Sequence, residues 1–133
     1  MANPKWRYPT VAAATSTLEF TYGDFMSDGE SVIGNVLTDE TQSGEIMQTS
    51  LGDDKTEHTF TCLVPTTDPA SGDLVYVGSL KTFISTTIGW AARTFYYTDS
   101  FGVSYAVKLL STSVTPSKRH VNYNRYTFKF REV

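Results

Sequence analysis

The chain has 133 residues, a net charge of −3 and one cysteine, Cys62. That length fits a single domain with its own core, and one thiol with only His58 and His120 beside it excludes an internal disulfide framework and a structural zinc site. No apolar run approaches bilayer thickness and no secretory leader opens the chain, so a soluble protein made in a reducing compartment is expected.

Residues 1–15 hold Pro4, Pro9, three consecutive alanines and Trp6, a composition that predicts an extended N-terminal arm ordering on assembly. The domain proper is expected over 16–133. Composition favours sheet there: the chain has 20 Thr and 13 Ser, with 8 Tyr, 8 Phe and 2 Trp, residues suited to a pleated, half-buried surface. Ser16 to Tyr22 alternates, with Leu18, Phe20 and Tyr22 on one face and Thr17, Glu19 and Thr21 on the other, which predicts a strand. Residues 23–29 predict a turn-rich loop. Ser31 to Leu37 forms a weaker strand, interrupted by Gly34. Gly44 to Leu51 and Thr56 to Val64 predict a hairpin closed at Gly52-Asp53-Asp54, with His58, Phe60, Cys62 and Val64 on one face.

The period changes after a loop at 65–72. Leu74, Val77, Leu80, Lys81 and Ile84 recur at helical spacing, predicting one amphipathic helix over about 73–86, capped by Asp68, Ser71 or Asp73 and ended by Gly89. Arg93 to Thr98 and Val103 to Ser111 predict a hairpin through Asp99-Ser100-Phe101-Gly102. Residues 112–120 predict a polar loop. In the last strand Tyr126, Phe128 and Phe130 face inward, with Arg125, Thr127, Lys129 and Arg131 outward. About seven short strands and one helix predict a mainly β fold, an antiparallel β-sandwich or small barrel.

Few residues carry chemistry. Cys62 and His58 share a strand face but lie on the order of 13 Å apart along it, with Phe60 between them, so a buried thiol and a half-buried histidine are expected rather than a catalytic pair. Asp39-Glu40 and Asp53-Asp54 are assigned to turns. Asp24, Asp28 and Glu30 do not have the spacing of a calcium loop, and the glycines are scattered singly, without a phosphate cradle. No cofactor or metal is expected. The basic residues Lys118, Arg119, Arg125, Lys129 and Arg131 interleave with Tyr123 and Tyr126, a combination found in single-strand nucleic-acid binders. Tyr126, however, faces the core, and the acidic first half repels phosphates, which argues against nucleic acid. Trp6, Trp90 and Tyr96 are the candidates for stacking on a carbohydrate.

Charge is split along the chain. Residues 8–73 net −11 and residues 74–133 net +6. Such a split is expected of a nucleic-acid patch or of one acidic and one basic face that attract each other between copies.

The order of elements in the second half carries a resemblance. A helix runs into Gly89-Trp90, then Phe95-Tyr96-Tyr97-Thr98-Asp99, a turn through Gly102, Tyr105-Ala106-Val107-Lys108, and a closing Tyr126-Thr127-Phe128-Lys129-Phe130-Arg131-Glu132-Val133. With the aromatic-Gly-Asp turn at Tyr22-Gly23-Asp24-Phe25, this resembles the small minor tail proteins of long-tailed bacteriophages, of the lambda protein M-like and distal-tail kinds. The resemblance implies a non-enzymatic virion component at the tail tip or baseplate. It would be a homo-oligomeric, expectedly hexameric ring adaptor around the tail tube, contacting other tail proteins and made in the host cytoplasm, with no membrane partner. The inter-subunit contacts are expected at Trp6, Asp53, Asp54, Lys118, Arg119 and Arg125. A β-sandwich module binding carbohydrate or a receptor is the alternative.

Overall fold

The computed structural model describes residues 3–20, 25–34, 36–40, 44–50, 55–70 and 72–133. Among the described residues ten strands and one α-helix follow one another as β1 (Lys5–Tyr8), β2 (Ser16–Glu19), β3 (Phe25–Ile33), β4 (Val36–Glu40), β5 (Ile46–Ser50), β6 (Lys55–Pro65), α1 (Val77–Thr82), β7 (Phe95–Thr98), β8 (Ser104–Leu109), β9 (Lys118–Arg119) and β10 (Tyr123–Glu132). The main sheet runs β2-β1-β7-β8-β10-β6-β3, with β9 also paired to β10, and β4 and β5 form a separate two-stranded ribbon. All strand pairings are antiparallel. The sheet is not closed into a barrel: β2 and β3 are its two edges. The fold is mainly β and sandwich-like, with one short α-helix.

The spine of the sheet is the β6–β10 ribbon, whose register runs from Tyr123 opposite Pro65 to Arg131 opposite Glu57. Its period-two alternation puts His58, Phe60, Cys62 and Val64 on the inner face together with Tyr126, Phe128 and Phe130, all of them buried. Thr61 and Thr127 pair across the outer face, their hydroxyls 3.2 Å apart. Threonine suits this outer position because its branched side chain packs on the pleat while its hydroxyl stays wet.

The core is aromatic and centred on Trp6, which has no exposed surface. Its ring lies 5.1 Å from Phe20, 6.0 Å from Phe60, 5.6 Å from Phe95 and 5.2 Å from both Phe128 and Phe130, centroid to centroid. In the sheet order β1 is four strands from β6, which in a flat sheet would separate them by about 19 Å. Contact between Trp6 and Phe60 therefore requires the sheet to curl over onto itself, and the tryptophan fills the fold. The indole Nε1 is buried with no hydrogen-bond partner among the described residues.

Trp6 also overturns the expected N-terminal arm. Lys5–Tyr8 lies inside the sheet, paired to β2 on one side and β7 on the other. The prolines that make the segment look like a linker flank a four-residue strand instead, with Tyr8-Pro9 in the cis form. Residue 25 onward is likewise strand rather than loop, and β3 pairs with β6. β5 pairs with β4, so the expected 44–64 hairpin does not form. The two ribbons instead exchange partners, an outcome that strand periodicity cannot specify.

The helix begins later than its periodicity predicts. Residues 73–75 are drawn out beside β2, where Glu19 N–H donates to Asp73 C=O (2.8 Å) and Val75 N–H donates to Glu19 C=O (3.0 Å). Helix α1 starts after Tyr76, whose N–H donates to the Ser79 hydroxyl (3.0 Å); the Asp68 carboxylate instead accepts from Ala70 N–H in the preceding loop. Gly78 is accommodated because the Tyr76 ring lies over it, 2.7 Å from where a Cβ would stand. The helix widens into a π-helical segment, Phe83–Thr87. Gly89, at φ +59°, turns the chain out, and the Arg93 guanidinium donates to the carbonyls of Thr86 (3.2 Å) and Thr87 (3.1 Å), two of the acceptors a helix end leaves over.

Candidate interaction site

The expected contact residues have different fates. Trp6 is core. Asp53 and Asp54 lie outside the described residues, as do Tyr22, Gly23 and Asp24 of the aromatic turn. Asp39 and Glu40 end β4 rather than forming a turn. Lys118, Arg119 and Arg125 come together where the segment expected as a loop supplies the short strand β9: Lys118 stands opposite Arg125, and Arg119 opposite Asn124. Strand alternation sends Lys118 and Arg119 to opposite faces, so the three cations do not form one cluster.

Lys118 and Arg125 border a cavity of about 250 Å³, completed by Leu63, His120 and Tyr123. The His120 and Tyr123 rings stack at 5.1 Å and 18°. The turn between them is fixed, since His120 N–H donates to Tyr123 C=O (2.8 Å) and Asn122 N–H donates to His120 Nδ1 (3.3 Å). Arg125 Nε donates to the Ser117 hydroxyl (3.3 Å), which sets the direction of the guanidinium. Like charges directly opposite one another across a ladder repel, so the Lys118–Arg125 pair carries an electrostatic cost that an anion lying between them would relieve. Periodicity missed this pocket because β9 is only two residues long.

The other end of the ribbon holds a carboxylate-lined cleft, while Arg131 stands opposite Lys108 on the other face of the sheet. Here a cavity of about 260 Å³ is lined by Gly29, Glu30, His58, Tyr97, Asp99, Phe101 and Tyr105. His58 Nε2 sits 3.3 Å from Glu132 Oε2, and its ring packs 4.4 Å from that of Tyr105. The Tyr105 hydroxyl donates to Asp99 Oδ2 (3.3 Å). The Tyr105 pKa is raised above its ordinary value, first by removal from water, then by the charge of Asp99 and its hydrogen bond, and further by Glu30 and Glu132. Three carboxylates thus surround one phenol. Outside this cleft Arg131 pairs with Glu57 at 2.7 Å.

Arg125 and Glu132 are seven residues apart on one strand, so the cavity and the cleft stand on the order of 23 Å from each other. The sequence split had put charge in two halves of the chain; the fold puts part of it at two ends of one ribbon.

The residues considered for catalysis are not assembled for it. Cys62 is fully buried, and Phe60 stands between it and His58 on the inner face of β6. Among the described residues no group of three His, Cys, Asp or Glu side chains could hold a metal ion, and no helix is long and apolar enough to cross a membrane. Of the stacking candidates Trp6 is buried, while Trp90 (37% exposed) and Tyr96 line neither of these cavities.

No family model matches the sequence, and no curated protein matches it. The solved structures to which this chain is similar include two from gene transfer agent particles. One, from the tail of an empty gene transfer agent particle with C6 symmetry, is 13% identical with a TM-score of 0.46, over 96% of this chain and 89% of that one. The other, from the virion of a native gene transfer agent particle, is 12% identical with a TM-score of 0.44, over 86% and 84% of the two chains.

Proposed function

We propose that this chain is a structural virion protein of a phage tail, a non-enzymatic adaptor at the tail tip or baseplate that assembles head-to-tail into a homo-oligomeric ring around the tail tube and contacts other tail proteins. The observation that carries this reading is the pair of unlike sites on the β6–β10 ribbon: the cavity bordered by Lys118 and Arg125 at one end, and the cleft with Glu30, Asp99 and Glu132 at the other. Sites of opposite sign at two ends of a rigid body favour heterologous contact over like-with-like pairing, and heterologous contacts close into rings when the rotation allows. The element order of residues 74–133, which resembles minor tail proteins, supports the same reading.

Native mass spectrometry and sedimentation of the purified chain test it. The expected result is an oligomer larger than a dimer at low salt that dissociates as salt rises, because exposed charges are screened, and that co-sediments with tail fragments. A monomer at every salt concentration that also ignores tail fragments overturns the proposal.

A further inference from the structure

The β7–β8 hairpin ends in Asp99-Ser100-Phe101-Gly102-Val103. Asp99 N–H donates to Val103 C=O (2.9 Å) and Gly102 N–H to Asp99 C=O (3.1 Å). The Asp99 carboxylate also accepts from the backbone N–H of Phe101 (2.9 Å) and of Val103 (3.0 Å). Every one of these bonds fixes the turn, yet the side chain it presents, Phe101, is 79% exposed. An aromatic ring held out on an ordered turn loses little further entropy on docking, which is what a preformed contact residue needs.

We infer that Phe101 of one copy seats in the Leu63–Tyr123 cavity of the next, with the carboxylates around Phe101 facing Lys118 and Arg125. This rests on the assembly reading above and names its contact. The cavity's size fits: its volume of about 250 Å³ exceeds the roughly 150 Å³ of an apolar cavity known to hold benzene. Its lining fits too, since the stacked His120 and Tyr123 rings and the Leu63 side chain offer apolar and π surface to a phenyl ring, for which offset or edge packing is favourable. Charge selects the partner. Asp99 immediately precedes the hairpin tip, and Glu30 lines the same cleft as Phe101, so the incoming ring brings carboxylates to the Lys118–Arg125 pair whose repulsion they relieve. Ring and cavity stand toward opposite ends of one ribbon, so the contact joins two different surfaces and repeats from copy to copy.

Two sets of variants test the contact in the full chain. Phe101→Ala and Lys118→Glu are each expected to weaken assembly at least tenfold without lowering the thermal transition of the subunit. Arg119→Glu, on the other face of β9, is expected to assemble like the parent. Mixing Phe101→Cys with Tyr123→Cys under oxidation is expected to give the mixed disulfide, with neither variant alone forming it; Cys62 is buried and does not compete. If the parent chain assembles while Phe101→Ala assembles equally well and the mixture gives no mixed disulfide, this contact is wrong and the ring reading stands. If the parent chain is a monomer throughout, the ring reading fails and the contact falls with it.

Discussion

Strand β1 and the β9–β10 turn have similar ingredients. Each is a short segment with two cations and an aromatic residue, Lys5-Trp6-Arg7 in one and Lys118, Arg125 and Tyr123 in the other. In β1 the aromatic ring goes inward to meet the other rings, and Lys5 Nζ lies 4.0 Å from Glu19 Oε2. In the β9–β10 turn the aromatic ring stays outside, stacked on His120, and the cations face each other. The difference is position in the sheet. A strand with neighbours on both sides has one face committed to the core, so its alternate residue is buried whatever flanks it. A two-residue strand at the end of a ribbon has no such commitment. The first segment holds the fold together; the second is available to bind.

The largest expected effect breaks the first half of this comparison. Trp6→Ala removes the ring that packs against aromatic residues of β6, β7 and β10, and should cost about 3–5 kcal/mol of stability in a urea titration. Trp6→Phe should cost clearly less, because it discards an indole N–H that has no partner among the described residues. Equal losses in the two variants would mean that the N–H is bonded and that packing alone does not explain Trp6. The counterpart in the second region, Tyr123→Ala, should change stability by no more than about 0.5 kcal/mol while weakening assembly.

Arg93 comes next in size, as a cation with fixed acceptors to set beside Lys118. Its bonds to the Thr86 and Thr87 carbonyls close the helix end, so Arg93→Ala should lower stability by about 0.3–1 kcal/mol. Lys118→Glu should act with the opposite sign. It replaces a like-charge pair with a cross-strand ion pair to Arg125, which is worth roughly 0.2–1 kcal/mol, so the subunit should become more stable as its assembly weakens. A variant that loses both would show that Lys118 supports the fold rather than the contact.

The same contrast explains what could be read from the sequence. The β6 and β10 faces, the β7–β8 hairpin and the existence of a helix were legible because each rests on a local period, 2 or 3.6, sustained over several residues. Strand β1 was not. Four residues between Pro4 and Pro9 give too short a run for alternation to register, and the burial of Trp6 depends on strands more than 50 residues away in the chain. Partner choice was illegible for a related reason. The runs at 44–51 and 56–64 alternate as a hairpin should, but β3 and β4 compete for them, and register is decided by which inner face completes the core. Of the candidate contacts Lys118 and Arg125 were legible as basic residues, but their separation from Arg119 required β9. The acidic cleft joins residues from β3, β6, β7, β8 and β10, and Phe101 appeared in the sequence only as a turn residue.

The smallest expected effect concerns that cleft and separates its electrostatics from its packing. Burial and the charges of Asp99, Glu30 and Glu132 hold the Tyr105 pKa above its ordinary value, about 10. Above that pH the unfolded chain loses the phenol proton while the folded chain keeps it, so folding binds a proton and stability falls as pH rises through this range. Asp99→Asn keeps a side-chain oxygen to accept from the turn N–H groups but removes the charge and the acceptor for the Tyr105 hydroxyl. Ultraviolet titration of the tyrosines should then show one phenol ionising at lower pH than in the parent, still above its ordinary value because burial persists. Glu132→Gln should move it in the same direction by less, since Asp99 acts through both its charge and a hydrogen bond, and Glu132 through charge alone. If neither substitution lowers the transition, the carboxylates are turned away from Tyr105 in solution, and the cleft loses the group that reports on it.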